Sequence, residues 1–116
     1  MSLISIIIPT YKPEDYLLDC LESLDKQDID NFSFNVFLVL NGSDLTYKDK
    51  LEIWIKRYSF NCQLIFIQES GVSNARNTAL DLIQDGFVCF LDDDDIISSN
   101  YISSLLEVSS KNNIGV

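Results

Sequence analysis

The sequence predicts an α/β domain on an open, mainly parallel sheet with helices on both faces. Three observations carry this. Apolar, β-branched-rich runs alternate four times with stretches of helical periodicity, at about the spacing of βα units. The runs are continuously apolar rather than alternating, as strands covered on both faces are. Three of them end in polar loops that, in a parallel sheet, open on one edge.

Leu3–Ile8 is a β-branched run read as a first strand ending at Pro9, with Pro9-Thr10-Tyr11-Lys12 as the loop beyond it. Pro13 suits a first helical position, Glu14 and Asp15 suit a helix N-terminus, and Leu17, Leu21 and Leu24 recur at helical spacing. A first helix is therefore predicted from about Pro13 to Lys26. Phe34–Leu40 is a second strand, broken by the turn chemistry of Asn41-Gly42-Ser43-Asp44. Leu51, Trp54, Ile55 and Tyr58 mark one face of a second helix over Tyr47–Ser59, and Cys62–Ile67 is a third strand. Gly71 opens and Gly86 closes a third helix. Phe87-Val88-Cys89-Phe90-Leu91 is a fourth strand, read as buried on both faces, that runs straight into Asp92-Asp93-Asp94-Asp95. Ser98 or Ser99 can cap a fourth helix bearing Tyr101, Leu105 and Val108.

At 116 residues, with 47% hydrophobic and 22% charged residues, the chain is one ordinary globular domain over residues 1–116. A net charge of −10 argues against binding nucleic acid through its phosphates and is compatible with recruiting a divalent cation. No apolar run approaches the roughly 18–20 residues of a transmembrane segment, and no signal-peptide pattern opens the chain. Cys20, Cys62 and Cys89 are odd in number and widely spaced, and read as reduced core residues of a cytoplasmic protein. The absence of histidine excludes Ser-His and Cys-His dyads and histidine metal sites.

Four adjacent carboxylates repel one another unless well solvated or neutralised, so Asp92–Asp95 read either as an acidic turn or as a cation site. Two acids one residue apart, Asp92 and Asp94, suit Mg²⁺ or Mn²⁺ held between protein and a phosphate-bearing ligand. Helical projection of residues 72–84 puts Arg76 inside the apolar arc, where a guanidinium needs a strand-four aspartate or an anion as partner, or a route for its head to water. Tyr11 could offer an aromatic face or simply pack. Asn41 could read the edge of a base or simply form its turn.

The series Ile4-Ser5-Ile6-Ile7-Ile8-Pro9-Thr10-Tyr11, Tyr16–Leu24, Asn41–Asp44, Gly71-Val72-Ser73-Asn74-Ala75-Arg76-Asn77 and Phe90–Asp95 resembles the nucleotide-sugar half of family 2 glycosyltransferases, whose Rossmann-like fold is of the GT-A type. The likeness spans nearly the whole chain, in order. It implies a polysaccharide-biosynthesis enzyme that binds a nucleotide-sugar donor, usually of UDP, and transfers the sugar to a saccharide or lipid-linked acceptor hydroxyl, with Mg²⁺ or Mn²⁺ as cofactor. Pro9, Thr10 and Tyr11 would border the base, Asn41 would stand where the family often has a base-contacting aspartate, and Arg76 would lie near the diphosphate or the acids. Asp92 and Asp93 would face ribose or sugar, with Asp94, assisted by Asp92, on the metal. Asp95 has no role beyond favouring the next helix.

Two substitutions depart from the family pattern: Lys12 replaces a common asparagine, and Leu40-Asn41 replaces frequent paired acids. No residue matches the family's general base, which lies beyond the first acidic motif. The chain is therefore expected to be a truncated donor half, inactive on its own, that could self-associate through the truncated edge. The full-length protein would be cytoplasmic, or peripheral at the inner face of the membrane. Two other classes compete: a non-catalytic α/β interaction domain, and a magnesium-dependent phosphoryl-receiver module. The receiver needs acids at the end of strand one, where Pro9-Thr10-Tyr11 stands. A dinucleotide site would need Gly-x-Gly-x-x-Gly after that strand, and none is present.

Overall fold

The structure, a computed structural model, describes residues 4–30, 33–42, 45–67, 77, 80, 81, 83 and 86–112. Strands β1 (Ile4–Tyr11), β2 (Phe34–Asn41), β3 (Asn61–Ile67) and β4 (Phe87–Phe90) form one parallel sheet in the order β3-β2-β1-β4. The helices with full bounds among the described residues are α1 (Tyr16–Asp25), α2 (Leu45–Ile55) and α3 (Tyr101–Asn112).

In-register pairing from Ile4↔Phe34 to Tyr11↔Asn41 gives each face of β1 and β2 a matched row of side chains. On one face Ile4, Ile6 and Ile8 meet Val36, Leu38 and Leu40, and Leu17, Leu21, Leu51, Trp54 and Ile102 of the three helices close over them. Full burial of each such side chain contributes about 1.5–3 kcal/mol. The opposite face holds Ile7, Phe37 and Val39, with Ile65, Ile67 and Val88 beside them. The step from β3 to β4 passes over two strands, and one described residue of that connection reaches this second face. Ile83, from the connection, packs there. The predicted helix over 71–86 lies mostly outside the described residues, although residues 77, 80 and 81 are helical.

Several boundaries differ from the sequence reading. Pro9 does not end β1, which continues through Thr10 and Tyr11 opposite Leu40 and Asn41. The backbone groups of successive residues alternate between neighbouring strands, and the Ile7 carbonyl accepts from Leu91 N at 3.0 Å on the β4 side. Pro9, two residues on, faces that same side beyond the end of β4, so its missing N–H leaves no ladder bond unmade. Lys12 then takes a left-handed φ of 46° and turns the chain out of the sheet. Residues 13–15 complete the turn, and α1 begins three residues later than predicted.

β4 is an edge strand among the described residues, and Phe90 is 42% exposed rather than buried. All three cysteines are free, as expected, with Cys20 buried and Cys62 and Cys89 partly so. Neither Ser98 nor Ser99 caps α3 with its side chain. Instead the buried Gln27, just past α1, accepts from Ile102 N at 3.0 Å. Its amide nitrogen donates to Ser98 O at 2.7 Å and Ser23 O at 3.0 Å. No helix among the described residues is long and apolar enough to cross a membrane.

Candidate functional site

The strand order reverses at β1, with β2 on one side and β4 on the other. Ligands of open α/β sheets bind at the C-terminal ends of strands around such a reversal. A cleft of about 320 Å³ lies there. Pro9, Thr10 and Tyr11 from β1, Asn41 from β2, and Asp92, Asp93 and Asp94 after β4 line it, with Tyr16 of α1. The three sequence-predicted groups of site residues thus share one concavity. Arg76 lies outside the described residues.

The acidic loop is held by its backbone rather than by cations. Leu91 anchors it, buried and bonded to Ile7 O. Asp92 N donates to Asp95 Oδ2 at 3.2 Å, and Asp95 N returns to Asp92 O at 3.1 Å, closing a four-residue turn. From below, the Cys20 thiol donates to Asp92 O at 3.7 Å, and Ser23 Oγ accepts from Ile97 N at 3.2 Å while donating to Cys20 O at 2.7 Å. Burial, reinforced by Asp93, Asp95 and Asp94, pushes the Cys20 thiol up to about 12, so it supports the loop as a neutral donor.

The four acids divide into two kinds. Asp93 is half-buried and accepts from Thr10 Oγ1 at 2.7 Å. Burial raises its pKa above the usual aspartate value; the Thr10 hydroxyl opposes that, and Asp94 and Asp92 add to it. Asp92, Asp94 and Asp95 are exposed, each with an oxygen within 4.8 Å of the others. Among the described residues no ion pair reaches any of the four. Three convergent carboxylate oxygens without a neutralising cation are a donor set suited to a hard divalent ion. Asp95, read from the sequence only as a helix-favouring acid, therefore belongs to the cluster. It stands well before Tyr101, where α3 begins, and its pairing with Asp92 depends on a turn that spacing alone does not reveal.

Across β1 the cleft changes character. Asn41 is 6% exposed, and its Oδ1 is buried with no hydrogen-bond partner. An orphaned buried acceptor costs about 1–3 kcal/mol unless a donor reaches it, and the cleft is the open side from which one can. Tyr11, its register partner, is 54% exposed. The Tyr11 ring rests on Gly42, whose φ is +102°, and a methyl group there would lie 3.1 Å from Tyr11 Cε1. Lys12 Nζ sits 5.4 Å from the Tyr11 ring centroid. The cleft thus has the Asn41 amide and the Tyr11 ring toward β2 and the acidic loop toward β4. Tyr16 escaped the sequence reading because its place on the cleft follows from the late start of α1.

The profile described as Glycosyl transferase family 2 matches residues 5–116. The chain is 36% identical over 108 residues to a teichoic acid poly(glycerol phosphate) polymerase of Staphylococcus epidermidis, covering 92% of this chain and 15% of that protein. It is 35% identical over 101 residues to the poly(ribitol-phosphate) beta-N-acetylglucosaminyltransferase TarS of Staphylococcus aureus, covering 81% and 16%. Among solved structures, S. aureus TarS 1–349 in complex with UDP-GlcNAc matches with a TM-score of 0.82 at 29% identity, over 97% of this chain and 32% of that one. A Pyrobaculum calidifontis mannosyltransferase shares the fold, with a TM-score of 0.71 at 23% identity over 79% and 27%. The chain spans at most about a third of these proteins.

Proposed function

Since this chain belongs to glycosyl transferase family 2, we propose that it binds a nucleoside-diphosphate sugar, in the first instance a UDP-sugar, with Mg²⁺ or Mn²⁺, for transfer to an acceptor hydroxyl. One observation carries the reading. A single cleft is lined on the β2 side by Asn41, whose buried Oδ1 has no partner, and on the β4 side by Asp92 and Asp94, two of three clustered exposed carboxylates that no ion pair reaches among the described residues. A nucleotide sugar has the complementary order of parts: a base with hydrogen-bonding edges, then a diphosphate that needs a cation.

In this reading the base lies against Tyr11 and bonds Asn41, with Pro9 as wall. Thr10 holds Asp93 as an oriented acceptor for a ribose or sugar hydroxyl, which Asp92 also faces. Asp94 and Asp92, joined by Asp95, hold the metal, which when bound neutralises charge on the departing diphosphate. The TarS structures with UDP and UDP-GlcNAc support the donor class. The teichoic acid relatives support a cell-wall polymer as acceptor, and a cytoplasmic place of action follows from the nucleotide-sugar donor.

Crystals soaked with MnCl₂ and UDP-GlcNAc test this. The expected result is an anomalous manganese peak bounded by Asp92, Asp94 and Asp95, with the base at Asn41. Nucleotide density elsewhere, or a metal peak away from the acidic loop, contradicts it.

A further inference from the structure

We propose that Lys12 is a second cation of the donor site, its ammonium binding the diphosphate where the ligand crosses the end of β1. The proposal rests on the donor-site reading above and adds a residue that the family pattern does not supply, since asparagine is common at this place. Lys12 follows Tyr11 directly, where β1 leaves the sheet. β1 lies between β2 and β4, so a ligand that joins Asn41 to the acidic loop passes over this end. Lys12 is exposed, and its Nζ lies 5.4 Å from the ring centroid of Tyr11, which lines the cleft. The flexible lysine stem lets the ammonium leave the ring for a phosphate oxygen.

The Lys12 φ of 46° lies in the left-handed region, which asparagine and glycine enter readily and lysine does not. Lysine is therefore less stable there than asparagine would be, and what it adds beside the cleft is a positive charge. That charge answers a deficit. The carboxylates Asp92, Asp93, Asp94 and Asp95 outweigh one divalent ion, so the dianionic diphosphate of a nucleotide sugar enters a region that stays negative with the metal bound. Among the described side chains the other cations are engaged or remote. Lys48 pairs with Glu52 at 3.8 Å, and Lys50 lies 4.6 Å from the Trp54 ring centroid and donates to Pro13 O at 3.4 Å. Lys26 lines a separate groove beside Asp19 and Glu22, and Lys56 and Arg57 follow α2 toward the opposite edge, where β3 begins.

Chemical-shift titrations of the chain in MgCl₂ with UDP and with uridine test this, in wild type, Lys12→Asn and Lys12→Arg. Asparagine suits the left-handed backbone, so Lys12→Asn is expected to melt no lower than wild type, and lost binding is then not lost fold. UDP is expected to bind Lys12→Asn about five- to tenfold more weakly than wild type, with most of that difference gone in about 1 M NaCl. Uridine, which has no phosphate, is expected to bind both within about twofold, and Lys12→Arg to hold UDP within about threefold of wild type. UDP binding unchanged in Lys12→Asn, a loss undiminished by salt, an equal loss for uridine, or the same loss in Lys12→Arg overturns the assignment of Lys12 to the diphosphate and leaves the donor site standing. Absence of UDP binding by wild type up to millimolar concentration overturns the donor-site reading, and this proposal with it.

Discussion

Thr10→Val removes one hydroxyl and keeps the shape of the side chain. Thr10 is 2% exposed, and its Oγ1 donates to Asp93 Oδ2 at 2.7 Å, the side-chain tie from β1 to the acidic loop. A hydrogen bond to a charged group contributes about 1.5–3 kcal/mol, and because Asp93 is only half-buried about 1–2 kcal/mol is the appropriate expectation. In a domain of this size that lowers Tm by about 5 °C. The pH dependence has a definite sign. Asp93 has a folded pKa above its unfolded value, so its favourable contribution is full below the unfolded pKa and is lost as pH rises through the folded pKa. The Thr10 bond limits that loss by favouring the ionised form. Without it the folded pKa rises further and the loss grows. The Tm difference between wild type and Thr10→Val is therefore small at about pH 3 and reaches its full size near neutral pH. Circular-dichroism melts at acid, intermediate and neutral pH measure it. A difference independent of pH, or largest in acid, refutes the reasoning.

Other outcomes follow from neighbouring contacts. Asp93→Asn keeps an acceptor for Thr10 but removes like charge beside Asp92 and Asp94; Tm near neutral pH is expected to rise by a few degrees while donor affinity falls, so a loss of Tm would count against it. Gly42→Ala forces an L-residue to a φ of +102° and a contact of 3.1 Å with Tyr11; a cost of about 1–3 kcal/mol in denaturant melts and a weakened nucleotide titration are expected. Gln27→Leu leaves Ile102 N and Ser98 O without the amide, at a cost of about 2–4 kcal/mol in the same melts. Cys20 and Cys62, both pushed up to about 12 by burial, are expected to resist thiol reagents at mildly alkaline pH until the protein unfolds, as mass spectrometry of alkylated protein will show.

Much of this architecture is legible in the residues. The β-branched runs around Ile6, Leu38 and Leu64 announce strands, and the helical recurrence of Leu17, Leu21 and Leu24 announces α1. The polar groups at Thr10, Asn41 and Asp92 converge once the sheet is parallel, because parallel strands put their C-termini on one edge. What escaped depends on tertiary geometry. Pro9 looks like a terminator because its tolerance depends on where β4 stops. Phe90 looks buried because a continuous apolar run does not say which strand lies at the edge. Gln27 looks like a polar residue past a helix, yet its three hydrogen bonds join α1 to the start of α3, about 70 residues later. Asp95 enters the carboxylate cluster through a local turn, and Asp93 leaves it through a bond to Thr10.

The central claim is that one cleft binds a nucleotide at Asn41 and a divalent cation at Asp92, Asp94 and Asp95 together. Calorimetric titration of UDP into the chain, with and without MnCl₂, in wild type and in Asp94→Ala, tests it most directly. The expected result is saturable binding that strengthens at least about tenfold with Mn²⁺ and loses that gain in Asp94→Ala. Equal affinity with and without the metal, or no binding up to millimolar nucleotide, would contradict the account.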